Sequence, residues 1–370
     1  MKFFTDRDKL LDSLNIVSHA VATRATKPIL ECVLVKADGS LSVYGNDLEL
    51  GIASSDIEAT IEEPGSVALD AKLLLDIMRK MPAGSILIES DKQNVTKIRC
   101  GRTELKILGQ PADEFPLPEN VDKDMGFEVN APEFKEMIRQ TISSVSQDDS
   151  KPVLTGELLE IKDGKLCLVS VDGYRISYRI SKNAELDKAI SKAVVVPAKT
   201  LADLARMLPS DGEARLSFYV QDAHVLFQYE NHTLISRLLD GQFINYKQIF
   251  NEDYNTRVNI SRQQLLMNME RASLLMRENK NNPVKFTIGQ NTVEVTSNTE
   301  IGASYDETAA DIDGTPLEIA FNPKYIIDAL RVMDDDNVLL SFTGTLSPCI
   351  MKGANAELYK YLVLPLRLHS

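Results

Sequence analysis

Three short segments of this chain repeat one pattern of charge and hydrophobicity at nearly constant spacing, and nothing else in the sequence constrains the fold as strongly. They read DAKLLLDIMRKM from Asp70, PAKTLADLARML from Pro197 and NPKYIIDALRVM from Asn322. The lysines Lys72, Lys199 and Lys324 lie 127 and 125 residues apart. Each is followed four residues on by an aspartate (Asp76, Asp203, Asp328) and seven residues on by an arginine (Arg79, Arg206, Arg331). A helix turns about 100° per residue, so these offsets fall on one narrow stripe. Apolar positions cluster opposite it: Leu74, Ile77, Met78 and Met81; Leu201, Leu204, Ala205 and Leu208; Ile326, Ala329, Leu330 and Met333. Each segment therefore reads as an amphipathic helix that buries one face and presents a Lys–Asp–Arg stripe on the other. Asp70 and Asn322 are capping residue types, and Pro197 and Pro323 suit a first helical turn. Repetition at a fixed period marks tandem copies of one structural unit.

A second helix type recurs with the same period. Asp6, Asn130 and Ser261 are cap-type residues, each followed four positions later by an apolar one (Leu10, Phe134, Leu265). The stripe continues at Leu14, Ile138 and Met269, then at Val17, Thr141 and Ala272. Between the helices lie alternating, β-type stretches. LSVYGNDLEL, LCLVSVDGYRI and VEVTSNTEIG each carry a turn-forming residue (Asn46, Asp172, Asn298), spaced 126 residues apart. Each copy thus reads strand–helix–strands–helix–strands, and the chain as an α+β protein of three tandem repeats. Polar stretches near Pro116 to Phe127 and Phe250 to Val258 set the boundaries at 1–122, 123–252 and 253–370.

A length of 370 residues accommodates three domains of this size. There is no run of eighteen or more apolar residues to span a membrane. The start, MKFFTDRDKLLDSL, lacks the apolar core and small-residue cleavage site of a signal peptide, so the expected location is the cytoplasm. Cys32, Cys100, Cys167 and Cys349 lie far apart with no CxxC pair, and read as core residues rather than as a zinc site or disulfide framework. His19, His224, His232 and His369 form no ligand spacing, and no metal or cofactor is expected. Enzymatic chemistry would have to come from Asp334–Asp335–Asp336 or from Asp148–Asp149, which read better as solvated turns. No constellation pairs acids, a base and an oxyanion donor. The net charge of −13 argues against simple electrostatic attraction to nucleic acid.

The whole chain resembles the bacterial sliding clamps, the beta subunits of DNA polymerase III. The segments that carry the resemblance are FFTDRDKLLDSLN at the start, Arg24 with Lys27 to Leu30, and DGYRIS from Asp172. VVVPAKTLADLARML from Val194, LLDGQFINY from Leu238 and YLVLPLRL from Tyr361 complete it. The resemblance implies a non-catalytic, head-to-tail homodimer whose six pseudo-equivalent domains close a ring around duplex DNA, helices lining the hole and antiparallel sheets outside. A ring also reconciles the negative charge with a DNA partner: a topological tether needs only weak, sequence-independent phosphate contacts. Lys72, Arg79, Lys199, Arg206, Lys324 and Arg331 are the DNA-facing candidates, joined through the resemblance by Arg24.

The resemblance further implies a pocket for short peptide motifs of the replicative polymerase, the clamp loader and repair polymerases. The matching positions are Leu154, Gly173, Tyr174, Arg175 and Ile176, with Ile244, Gln248, and the terminal Val363, Leu364, Pro365, Leu366 and Arg367. Tyr174 stands where the best-known members carry His, Ile244 where they carry Pro, and Gln248 where they carry Arg. By the residues alone, the terminal apolar run fits a buried last strand as well as a groove wall. Leu105 and Ile107 match one side of the family's dimer contact, and Leu274 and Leu275 the other. The alternative is a repeat scaffold that binds only proteins and has no DNA in its opening.

Overall fold

In the computed structural model the described residues are 1–118, 121–123, 126–182, 186–250, 253–276, 283–354 and 358–367. Parts of both expected linkers, and His369, lie outside them. Two compact units are formed, one by Met1–Ala131 with Arg206–Leu238, the other by Pro132–Ala205 with Leu239–Ser370. The middle copy is therefore divided between them.

Six α-helices occur among the described residues: α1 (Arg7–Val17), α2 (Ala71–Lys80), α3 (Ala131–Thr141), α4 (Ala198–Met207), α5 (Arg262–Ser273) and α6 (Pro323–Val332). Their starts follow from the capping chemistry. Asp6 Oδ1 accepts the N–H of Asp8 at 2.8 Å, Asp70 Oδ1 that of Leu73 at 2.7 Å, and Asn322 Oδ1 that of Lys324 at 3.0 Å. Ser261 caps α5 in the same way, through the N–H of Gln264. Pro323 occupies the first turn of α6, whereas Pro197 closes the strand Lys192–Pro197 and α4 begins one residue later. The apolar stripes face inward: Leu10, Leu14 and Val17 are buried, as are Phe134 and Ile138, and Leu265, Met269 and Ala272.

Among the described residues the strands form three antiparallel sheets. In the first unit, a five-stranded sheet runs Ala59–Glu63, Lys2–Asp6, Ser85–Ser90, Val95–Cys100, Thr103–Leu108. The same unit holds an eight-stranded sheet in which His232–Arg237 of the middle copy pairs with Leu50–Ile57 of the first. The second unit holds a twelve-stranded sheet, continued from the middle copy into the third by the pairing of Arg175–Ile180 with Tyr359–Val363. Side chains alternate along these strands, as in Thr256–Ser261, where Thr256, Val258 and Ile260 point into the core. All four cysteines are buried and unbridged. No helix among the described residues is long and apolar enough to cross a membrane.

One turn differs from expectation. Asn46 and Asp172 open tight turns, Asn46 accepting the N–H of Leu48 at 2.8 Å and Asp172 that of Tyr174 at 2.9 Å. Asn298 instead lies inside the strand Thr292–Thr299, and the chain reverses at Glu300 and Ile301. The third hairpin is longer, so its turn residue moved while the alignment of its neighbours did not.

Candidate functional site

The six candidate cations of the repeated helices, Lys72, Arg79, Lys199, Arg206, Lys324 and Arg331, are all exposed, as is Arg24. Opposite them on each helix the apolar residues are buried, Leu74, Leu201 and Ile326 among them. In the first unit Lys72 and Arg79 border a cleft of about 660 Å³ that also touches Thr23, the neighbour of Arg24. Arg79 is held there by Asn15 Oδ1 at 3.1 Å. Arg331 pairs with Glu270 at 2.7 Å.

The aspartates of the stripe do not behave alike, which corrects the reading of three equal polar faces. Asp76 is exposed and lies 3.6 Å from Arg79. Asp203 is buried, at 3% exposure. Asp328 is turned toward Arg175 of the middle copy, whose Nη1 donates to its Oδ2 at 2.8 Å. Periodicity fixes which side of a helix a residue occupies, not which neighbouring element covers that side.

Arg175 organises the second cluster. Its Nε donates to Asp172 Oδ2 at 2.8 Å, Nη2 to the carbonyl of Ser143, and Nη1 also approaches the Tyr361 hydroxyl at 3.5 Å. Its guanidinium carbon lies 4.4 Å from the centre of the Tyr325 ring. Tyr325 in turn stacks on Tyr174 with ring centres 6.3 Å apart. Burial opposes the charge on Arg175, but Tyr361 and Asp328 outweigh it, so the side chain holds its proton more tightly than a free guanidinium.

Around this network opens a cleft of about 870 Å³. Leu154, Gly173, Tyr174 and Arg175 line it, together with Lys151, Lys324 and Tyr325, which the sequence reading did not assign to it. Beside it lies an apolar cluster containing Leu154, Ile176 and Leu362, with Ile244 packed against them. Leu364 is exposed and its N–H donates to the Tyr174 carbonyl at 2.8 Å, tying the terminal segment to the turn. Leu366 is fixed by the carbonyl of Ala320, and Pro365 is half-buried between them. Val363 points the other way and is buried in the third copy's core. Gln248 and Arg367 are exposed, and no described contact ties either to the cleft. The missed Tyr325 had one signal: it is aromatic where the other two helices carry Leu73 and Thr200.

Leu105 and Ile107 sit on Thr103–Leu108, the outermost strand of the five-stranded sheet, paired on one side only. Leu105 is 39% exposed and Leu274, in the turn after α5, is 57% exposed. Leu275 lies beside Gly302. Gly302 opens a long strand, Gly302–Gly314. Its residues 302–309 pair with Thr292–Thr299, while Thr256–Ser261 covers only the end from Ala310. Two stretches of strand edge with no strand partner among the described residues are thus accompanied by exposed leucines.

The acidic runs are structural. Asp334 pairs with Arg139 at 3.2 Å, and the carbonyls of Asp335 and Asp336 accept from Arg262. Asp148 accepts the N–H of Ser150 at 2.9 Å. Among the described residues no group of three or more His, Cys, Asp or Glu could hold a metal ion.

Comparison with known proteins agrees with this architecture. The family models for the DNA polymerase III beta subunit match in order along the chain: the N-terminal domain over residues 1–120, the central domain over 128–245 and the C-terminal domain over 247–367. The Beta sliding clamp of Bacillus subtilis is 33% identical over 380 residues, covering all of both chains. That of Staphylococcus aureus is likewise 33% identical over 380 residues and full length. Among solved structures, a DNA polymerase III beta subunit from Eubacterium rectale superposes with a TM-score of 0.95 at 38% identity, and the Bacillus subtilis sliding clamp with 0.96 at 32%. Each covers 100% of both chains. A triple repeat of clamp domains bearing exposed cations on its helices is a non-catalytic processivity factor. The chain belongs to the DNA polymerase III beta subunit family, the bacterial sliding clamps of DNA replication. The reading as a protein-only scaffold is not favoured.

Proposed function

We propose that two copies of this chain close head to tail into a ring that encircles duplex DNA and tethers the replicative polymerase to it. The three copies, taken as 1–122, 123–252 and 253–370, supply three of the ring's six segments. The observation that carries the proposal is the recurrence of exposed Lys72, Lys199 and Lys324, with Arg79, Arg206 and Arg331, on helices whose other faces are buried. Cations at equal offsets favour weak phosphate contacts that look alike at every angle, and a net charge of −13 over the whole chain discourages tight binding. Arg24 adds a further contact.

The dimer contact joins Thr103–Leu108 of one protomer to the open edge of residues 302–309 of its partner, with Leu105 and Ile107 packed on Leu274 and Leu275. Pairing two edges satisfies both rows of backbone groups and removes an aggregation hazard. The cleft of Leu154, Gly173, Tyr174 and Arg175, with Ile176 and Ile244 behind it and Leu364 to Leu366 along it, takes short peptides from the polymerase, the clamp loader and repair polymerases. The protein acts in the cytoplasm.

The decisive experiment is topological. The chain is loaded onto nicked circular duplex by a clamp loader and its retention followed by gel filtration. Retention on the circle and loss after linearisation by a restriction enzyme is the expected result. Equal loss from circular and linear DNA would refute encirclement, and a stable monomer at micromolar concentration would refute the dimer.

A further inference from the structure

We propose that Asp328 is a positioning residue of the cleft, and that Lys324 tunes its hold on Arg175, so that DNA at Lys324 organises the peptide site. The inference rests on the two readings just given, α6 as a DNA-facing helix and the cleft as a peptide site.

One oxygen carries the relationship. Asp328 Oδ2 accepts from Arg175 Nη1 at 2.8 Å and from Lys324 Nζ at 2.5 Å. The two donors differ in freedom: the Arg175 side chain is 6% exposed, that of Lys324 67%. Arg175 is fixed by Asp172, by Ser143 and by the Tyr325 ring, so it stays when its surroundings change. Lys324 is a solvated ammonium on a flexible stem and leaves at little cost. A phosphate that draws Lys324 away removes a competitor for the carboxylate, and the Asp328–Arg175 bond tightens. Arg175 braces Ser143, and through the Tyr325 ring it supports Tyr174, so a firmer Arg175 pre-organises that wall of the cleft. Pre-organisation raises peptide affinity, and by reciprocity bound peptide favours DNA at Lys324.

The arrangement is confined to this junction. Aligned in sequence on Asn46, Asp172 and Asn298, the counterparts of Arg175 are Glu49 and Ile301, neither of them a cation. In the first copy Asp76 faces Arg79 of its own helix instead.

The test uses the full-length protein labelled with ¹⁵N-arginine. The Nε–H signal of Arg175, identified by its absence in Arg175→Lys, reports how firmly the guanidinium is held. In the wild type, saturation with a 12-base-pair duplex is expected to slow exchange of this proton with water about two- to fivefold, the range of an exposed ion pair. Lys324→Met is expected to show the slowed rate without DNA and no response to it. Asp328→Asn is expected to exchange faster under both conditions. An unchanged wild-type rate at saturating duplex, or a Lys324→Met protein that behaves as wild type, overturns the proposal. If the duplex fails to bind at all, the DNA-facing reading falls and the link to DNA with it. The DNA-free comparison of Lys324→Met with wild type then still decides whether the carboxylate is shared competitively.

Discussion

Arg175 of the middle copy donates to Asp328 of the third at 2.8 Å, joining through one partly buried ion pair two segments more than 150 residues apart in sequence. Asp172 closes the other side of the guanidinium at 2.8 Å. Removing Arg175 takes a charged donor from both carboxylates, leaving Asp328 with Lys324 and Asp172 with the backbone N–H of Tyr174.

Arg175→Ala is therefore expected to destabilise the second unit by about 1.5–3 kcal/mol, the usual worth of hydrogen bonds to charged groups. Urea unfolding followed by circular dichroism measures it. Arg175→Lys should recover only part of the loss, since an ammonium cannot serve Asp172, Asp328 and Ser143 together in planar geometry. Equal stability of wild type and Arg175→Ala would contradict this account.

Glu157 gives a pH dependence with a defined sign. It is fully buried, accepts from the Thr141 hydroxyl, and burial pushes its carboxyl up to about 8. The folded state thus holds a proton that the unfolded state releases near 4.5. The stabilisation is complete below that value and is lost as the pH rises through about 8. The expected slope is at most about 1.4 kcal/mol per pH unit across the window. Glu157→Gln, neutral throughout, should lack this slope when urea midpoints are compared from pH 5 to pH 9.

The lining is tested by Lys72→Ala combined with Lys199→Ala, which leaves α6 and the cleft intact. If each lysine neutralises one phosphate, the slope of log affinity against log salt should fall by about 2. Fluorescence anisotropy with a labelled duplex at several salt concentrations reads it, and an unchanged slope removes both lysines from the DNA contact.

Leu105→Asp and Leu274→Asp each place a charge on an exposed position of the proposed dimer contact. Either should raise the dimer dissociation constant at least tenfold by sedimentation velocity while circular dichroism stays unchanged. A dimer as tight as wild type in both variants would move the contact elsewhere.

Much of the fold was legible because it is local. The spacing of Leu10, Leu14 and Val17, the caps at Asp6, Asp70 and Asn322, and the alternation in the strands need only neighbours a few residues away, and all hold. Asn298 misled because a lengthened hairpin keeps a turn-type residue inside its strand. The site was less legible because it depends on long-range approach. Val363 and Leu364 are adjacent, yet one is core and the other is exposed beside the Tyr174 turn, a distinction made by strand direction rather than by hydrophobicity. Lys324 and Tyr325 were readable as helix-face residues, but not as partners of a turn in another copy.

Where one copy meets the next within each unit, the sheet simply continues: Leu50–Ile57 hydrogen-bonds to His232–Arg237, and Arg175–Ile180 to Tyr359–Val363. Such a seam is made of amide and carbonyl groups, which every residue but proline carries in full. Those bonds place little demand of their own on which amino acids stand there; the demand comes from packing, as at buried Ile176, Leu362 and Val363. Side chains away from the packed faces of each copy can thus drift independently, while the helix caps, apolar stripes and charge triad still mark their kinship. A junction can thus gain side-chain contacts of its own, as Arg175 and Asp328 do in the second unit, while the backbone join beside them is unchanged.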